Sequence, residues 1–347
     1  MTGFGQAVDA ALEACVIPGF SRIGLAVRSR LLPEFTAGEP PAIGGKTVII
    51  TGATSGIGYA AAVALARRGA AVHFLARSRD RAERARRGIA AESGSTRISY
   101  GLADMEDLAS VRAFASEFRA THDQLDVLIH NAGAIHPDFR ADAAGTELTV
   151  AGQVIAPFLL TRMLMPALLA AVPSRVITVS SGGMYTQLLD PATLQMPKSR
   201  YQGVTAYAKA KRAQAALSRE WARRMAGTGV AFHAMHPGWV NTPGVAAALP
   251  GFYRAARPIL LTPQQGADTI VWLATMPPER LGSGRFWHDR RPRPEHPLPW
   301  TREHDPDAAR KLWDHLATAT ATGMPKLPQA GLDSVAADLD ISSQGQR

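Results

Sequence analysis

The sequence predicts an α/β fold: one doubly wound parallel sheet with helices on both faces, plus an extension at each end. Three observations predict it. With 347 residues and 46% hydrophobic content, the chain can bury a large core. From residue 46 onward, short β-rich runs alternate with longer helical ones, the order that parallel strands joined by crossover helices require. Glycines 52, 56 and 58 then fall between the first strand and the first helix of that series, where the chain must turn tightly.

Residues 1–45 precede the alternation. Within them Ile23, Val27 and Leu31 recur at helical spacing, with Arg22, Arg28 and Arg30 on other sides, which predicts a short amphipathic helix followed by a GEPPAIGG linker. Such a helix can cover the core, meet a partner subunit, or lie against a membrane through residues 1–35. The strand KTVIITG leads into a helix over 56–68. AAVHFLAR precedes a helix over 79–91, and TRISYGLAD precedes one over 106–120. LDVLIHNAG leads to a helix over 146–171, SRVITVSS to one over 205–226, and VAFHAMHPG to a last apolar segment ending the domain at 290. Residues 291–347 begin with the proline-rich RRPRPEHPLPW, continue with a short helix in DPDAARKLWDHLATATA, and end in a polar tail read as disordered.

Composition excludes several function classes. The formal net charge is +9, but no basic region is interleaved with aromatics as nucleic-acid binding would require. Cys15 is the only cysteine, so no intrachain disulfide forms and a reducing cytoplasm fits best. The apolar stretch at 153–172 contains Gln153, Pro157, Thr161, Arg162 and Pro166, and reads as a buried helix rather than a membrane span. The N-terminus lacks the pattern of a secretory leader.

The turn TGATSGIG at 51–58 carries the first chemistry. Gly52, Gly56 and Gly58, with Thr54, Ser55 and Ile57 between them, let backbone N–H groups approach a pyrophosphate at the positive end of a helix. Strand, turn and helix in that order predict nucleotide binding on a Rossmann-type sheet. Further on, TAYAKAK places Tyr207 and Lys211 at i and i+4, on one helical face, where an ammonium can favour the ionised phenol. Spacing alone leaves open a solvated lysine beside a packed tyrosine.

TGATSGIG, Asp104 after the third strand, NAG at 131–133, VSS at 179–181, YAKAK at 207–211 and PGWVNT at 237–242 occur in one order over residues 46–290. In this the chain resembles the short-chain dehydrogenase/reductase family. VSSGGMYTQ, MHPGWVNTPGV and GRFWHDR resemble, more narrowly, that family's member 12 subgroup. The resemblance implies that Tyr207 is the general acid or base, that Lys211 binds the nicotinamide ribose and holds the tyrosine pKa down, and that Ser181, rather than its neighbour Ser180, orients the substrate oxygen. It implies that Asp104 meets the adenine, that Asn131, Ala132 and Gly133 border the cofactor with Pro237 and Gly238, and that Thr242 contacts the nicotinamide carboxamide. The family's fourth catalytic position, an asparagine, is Gln153 here, one methylene longer. The resemblance also implies a homodimer or tetramer built on the helices at 146–171 and 205–226.

Where the family's cofactor choice is set, HFLARSRDR has Ala76 and Arg77 instead of an acid. Arginine grips a 2′-phosphate with a planar fork, so NADP is expected over NAD. The segment after Thr242 is apolar and punctuated by glycine and proline, as a lid over an apolar substrate would be. Met184, Phe252 and Tyr253 are candidate pocket walls, and the long gap between Ser181 and Tyr207 is a candidate substrate loop. His233 and His236 lie three apart on a strand and face opposite sides, so no metal is expected. The sequence thus reads as an NADP-dependent oxidoreductase interconverting an alcohol and an aldehyde or ketone. The alternative is a nucleotide-binding scaffold of the same fold with weak turnover.

Overall fold

Apolar and β-branched runs form all but the last strand of a single sheet in the protein, a computed structural model describing residues 3–36, 40–297, 301–302 and 305–321. The strands are β1 (Thr47–Thr51), β2 (Ala71–Ala76), β3 (Ile98–Leu102), β4 (Val127–His130), β5 (Ser174–Val179), β6 (Val230–Met235), β7 (Arg285–His288) and β8 (Arg291–Arg293). Their order is β3-β2-β1-β4-β5-β6-β7-β8. Neighbours pair in parallel as far as β7, and β8 returns antiparallel, with Phe286 opposite Arg293. Val48 of β1 stands beside Val72 on one side and Val127 on the other. The strand order therefore reverses between β1 and β4, and a crevice opens beyond their carboxyl ends.

The helices are α1 (Gly3–Ala14), α2 (Arg22–Leu31), α3 (Gly56–Arg67), α4 (Arg79–Ser93), α5 (Leu108–Thr121), α6 (Leu148–Ala170), α7 (Gly203–Arg224), α8 (Pro243–Ala248), α9 (Pro250–Ala256), α10 (Pro263–Thr275) and α11 (Ala308–Ala319). One face of the sheet is covered by α3, α4 and α10 through residues such as Val63, Ile89 and Ile270. The other is covered by α5, α6, α7 and α11 through Phe114, Leu160, Leu217 and Leu312. Helix α6 is long and apolar enough to cross a membrane, but most of it is buried in this second layer, as the interrupted apolar stretch predicted.

Both ends differ from expectation. Ahead of the sheet stand α1 and α2 with the turn Val16–Gly19 between them, not one amphipathic helix. In α2 Arg22 and Arg30 are exposed and Val27 is half-buried, as expected, but Arg28 is 1% exposed, whereas Ile23 is 47% and Leu31 39% exposed. The reason is electrostatic, since the Arg28 guanidinium is paired with Asp9 at 2.8 Å, Glu13 at 3.0 Å and Asp289 at 2.7 Å. At the other end the sheet continues past residue 290, because β8 pairs along the free edge of β7. An edge strand tolerates Pro292, which has no N–H to donate. The expected disordered tail lies outside the described residues.

Candidate active site

The crevice at the strand ends is bordered by the glycine turn. Gly52 and Gly56 have φ of +69° and +60°, which side chains rarely adopt. A Cβ on Gly58 would lie 2.4 Å from Asn131 Nδ2 and 2.6 Å from Gly52 O. Ser55 occupies the N-cap of α3 but accepts no side-chain cap hydrogen bond. Ser55 is exposed, and Thr54 and Ile57 are half-buried. The first N–H groups of a twelve-residue helix thus open on the crevice, and the residues present fit a dinucleotide's pyrophosphate.

The strand ends around this turn are tied together. Thr51 Oγ1 accepts from Asn131 N at 3.0 Å and Ala132 N at 2.9 Å, while Asn131 Nδ2 donates to the carbonyls of Thr51 at 3.0 Å and Gly52 at 3.1 Å. Thr242 caps α8 by accepting from Val245 N, and its Cγ2 lies 3.3 Å from where a Gly56 Cβ would be. Pro237 and Gly238 lead into this segment from β6, Gly238 with φ +74°. Asp104, after β3, accepts from Glu106 N at 3.0 Å. At the end of β2 the Arg77 side chain is 59% exposed, and its Nη1 comes no nearer than 3.9 Å to Glu106 Oε1.

Tyr207 and Lys211 lie on one face of α7, with Lys211 Nζ 5.3 Å from the Tyr207 ring centroid. Lys211 is 2% exposed, and its Nζ donates to Val179 O at 2.9 Å and Gln214 Oε1 at 3.0 Å. Burial without a pairing carboxylate lowers its pKa to about 7. Tyr207 keeps part of its surface open. Burial of its phenol pushes that group up from the usual tyrosine value, and the Ser181 hydroxyl beside it acts in the opposite direction. Ser181 is half-buried and accepts from Gly183 N at 3.2 Å. Ser180 is 2% exposed and donates to Lys211 O at 2.9 Å, so it braces α7 and does not face the crevice.

Gln153 is 4% exposed, and α6 makes a π turn over Ala151–Ile155 around it. Its Nε2 donates to Ala134 O at 2.7 Å, while its Oε1 is buried without a hydrogen-bond partner. A Cβ on Gly133 would lie 3.0 Å from both that Oε1 and Lys211 Nζ, a tight contact with each. The Gln153 amide oxygen and the Lys211 ammonium thus both border Gly133. Sequence reasoning missed Gln214, which is 4% exposed and donates from Nε2 to Gln153 O at 2.5 Å. Its position three residues after Lys211, on the same helical face, was the available signal.

The three candidate wall residues separate. Met184 is fully buried among Phe20, Tyr185 and Phe286, so it supports the turn after Ser181 from behind. Phe252 packs edge-on against Trp239 with centroids 5.0 Å apart, and Tyr253 Oη donates to Asn241 Oδ1 at 3.0 Å. Both brace the segment between Pro237 and Thr242. His233 accepts from Trp287 Nε1 at 3.2 Å. His236, Glu13 and His288 do converge, but His236 Nδ1 accepts from Gly238 N, which puts its proton on Nε2. Glu13 Oε2 already meets Arg28 at 3.0 Å and Arg293 at 3.4 Å.

Comparison with known proteins identifies the frame in which this geometry sits. The family model described as short chain dehydrogenase matches residues 46–250. The chain is 40% identical over 259 residues to dehydrogenase/reductase SDR family member 12 of Bos taurus, covering 74% of this chain and 80% of that one. It is 36% identical over 295 residues to retinol dehydrogenase 14 of Mus musculus, covering 80% and 86%. A solved protein of Beutenbergia cavernae, provisionally assigned as an NAD(P) dependent gluconate 5-dehydrogenase and holding NADP at low occupancy, is 30% identical. Its TM-score is 0.59, with 72% of this chain and 97% of that chain covered.

Proposed function

Because this chain belongs to the short chain dehydrogenase family, a family of oxidoreductases, we propose that it is an NADP-dependent enzyme interconverting an alcohol and an aldehyde or ketone on an apolar, lipid-like substrate. The observation that carries the reading is the Ser181–Tyr207–Lys211 group at the open mouth of a crevice whose glycine turn fits a dinucleotide. A bound nicotinamide supplies or accepts the hydride. In reduction, the Tyr207 phenol donates its proton to the substrate oxygen, and the Ser181 hydroxyl donates a hydrogen bond that orients it. Lys211 favours the phenolate left behind, because its charge lies 5.3 Å from the ring in surroundings that exclude water.

NADP is preferred because Arg77 keeps its guanidinium in solvent at the end of β2, unpaired by any contact shorter than 3.9 Å among the described residues. The Beutenbergia relative's bound NADP agrees with this preference. The apolar substrate class is supported by the aromatic packing of Phe252 on Trp239 in the segment around Thr242, and retinol dehydrogenase 14 among the relatives agrees with it. Peripheral contact with a membrane is supported by Phe4, Val16, Ile17 and Ile23, which are exposed near Arg22 and Arg30. Vesicles of anionic phospholipid should retain the protein and release an Ile17→Glu variant.

The deciding experiment follows NADPH consumption by the wild type and Tyr207→Phe over a panel of apolar aldehydes and ketones, with NADH as control. Turnover should fall by about 10² to 10⁴ in the variant while NADPH binding survives. If both proteins bind NADPH and neither turns over any substrate, the fold serves as a nucleotide-binding scaffold. The unpartnered Gln153 Oε1 is the observation on that side.

A further inference from the structure

Among the described residues the Lys211 ammonium is the one buried charge beside the reacting groups, and what aims it is not a family motif residue. Two of its donors are committed, to Val179 O at 2.9 Å and Gln214 Oε1 at 3.0 Å. Gln214 is itself held at its other end, where Nε2 donates to the main-chain carbonyl of Gln153 at 2.5 Å. That carbonyl is available for a reason visible in the sequence. The residue four positions on is Pro157, which has no N–H with which to close the helical ladder, and α6 makes its π turn there.

A lysine ammonium can only donate and a carbonyl can only accept, so the Gln214 amide can sit only one way round. It forms a strut from α6 to α7, and its far end presses an acceptor against Lys211. Tyr207, on the lysine's own helix, and His130, on β4, are the titratable groups facing Lys211. Burial first, and the Lys211 charge second, bring His130 down to about 3, so it is neutral and does not compete.

We propose that Gln214 is a positioning residue of the active site, bridging Lys211 to the main chain of Gln153 so that the lysine's remaining donor faces Tyr207 and the cofactor. The proposal rests on the reading of Tyr207 and Lys211 as the acid–base pair. It explains how the family's asparagine position can be glutamine here: the link to Lys211 runs through the Gln153 main chain, which is indifferent to the side chain.

The test is an NMR titration of the Lys211 13Cε resonance, assigned with Lys211→Arg, in the wild type, Gln214→Leu and Gln214→Glu. Removing the acceptor disfavours the charged amine, so the midpoint should fall in Gln214→Leu; a carboxylate in the same place should raise it in Gln214→Glu. Turnover of the aldehyde and ketone panel with NADPH should fall about tenfold in Gln214→Leu, the worth of a hydrogen bond to a charged group. Midpoints unchanged in both variants, with any effect confined to melting temperature, would overturn the proposal. If Gln214→Leu does not fold, the direction of the Gln214→Glu shift decides alone. Should Tyr207→Phe keep full turnover, the reading of the pair fails instead, whatever the Gln214 variants do to Lys211.

Discussion

At the scale of single residues, the site holds one charge that the folded chain pays for. Lys211 titrates near 7 when folded and near 10.4 when unfolded. Between those values the unfolded state binds more protons, so stability of the cofactor-free protein should rise as pH goes from about 7 to 10. The rise is on the order of 3–4 kcal/mol at most, and it should flatten in Lys211→Met; denaturant midpoints at stepped pH measure it. Arg77 makes the second prediction at this scale. Arg77→Asp should weaken NADPH binding by roughly tenfold to a hundredfold and leave NADH nearly untouched, because only the former has a 2′-phosphate to lose. Equal losses by titration calorimetry would remove Arg77 from that role. Tyr207 and Lys211 were legible as a pair because helical spacing is local. The same spacing put Gln214 beside Lys211, but its second partner, a carbonyl on another helix, was not legible.

At the scale of elements, the first two helices are joined to the sheet by a buried ion network. Asp9 accepts from Arg28, Arg291 and Arg293 at 2.8 to 3.0 Å, linking α1 to α2 and β8. Burial raises the Asp9 carboxyl, but the hydrogen bonds and charges of Arg293 and Arg28 outweigh it and hold the pKa at about 2. Its contribution is therefore complete above pH 4 and is lost as pH falls through about 2. Asp9→Asn leaves three guanidiniums short of a counter-charge and should cost about 3–5 kcal/mol, read as a lower melting temperature and protease cleavage before residue 45. Helical periodicity foretold α2 and the exposure of Arg22 and Arg30 but misjudged Arg28, since a period counts apolar positions and cannot see that Arg28 has three carboxylates waiting. Phe20, 3% exposed between these helices, packs on His236 with centroids 4.4 Å apart and would touch any Cβ on Gly182, so the extension braces the turn after Ser181.

At the scale of the whole molecule, α11 changes what the chain can do with its surface. It lies over α6 and α7: Trp313 meets Trp221 at 4.4 Å and Phe158 at 4.9 Å between centroids, and Arg224 stacks over its ring. These two helices are the ones through which a homodimer or tetramer was expected. Where Trp313 covers Phe158 and Trp221, these helices cannot also meet a second copy, so light scattering is expected to find a monomer, and a stable dimer would show that they pair elsewhere along their length. Trp313→Ala should cost about 3–5 kcal/mol and promote self-association through the uncovered helices.

The sequence by itself determined the parallel sheet, the succession of its first six strands along the chain, the glycine turn and the tyrosine–lysine pair. Each of these is written in a local period or a short fixed spacing, which the chain cannot avoid once it folds as strand and helix. Only the tertiary structure decided which side of α2 is buried, that β8 closes the sheet, that α11 covers α6 and α7, and that Gln214 reaches Lys211. Those outcomes depend on contacts between residues far apart in the chain, such as Arg28 with Asp289 and Trp313 with Phe158, and no spacing within one segment encodes them.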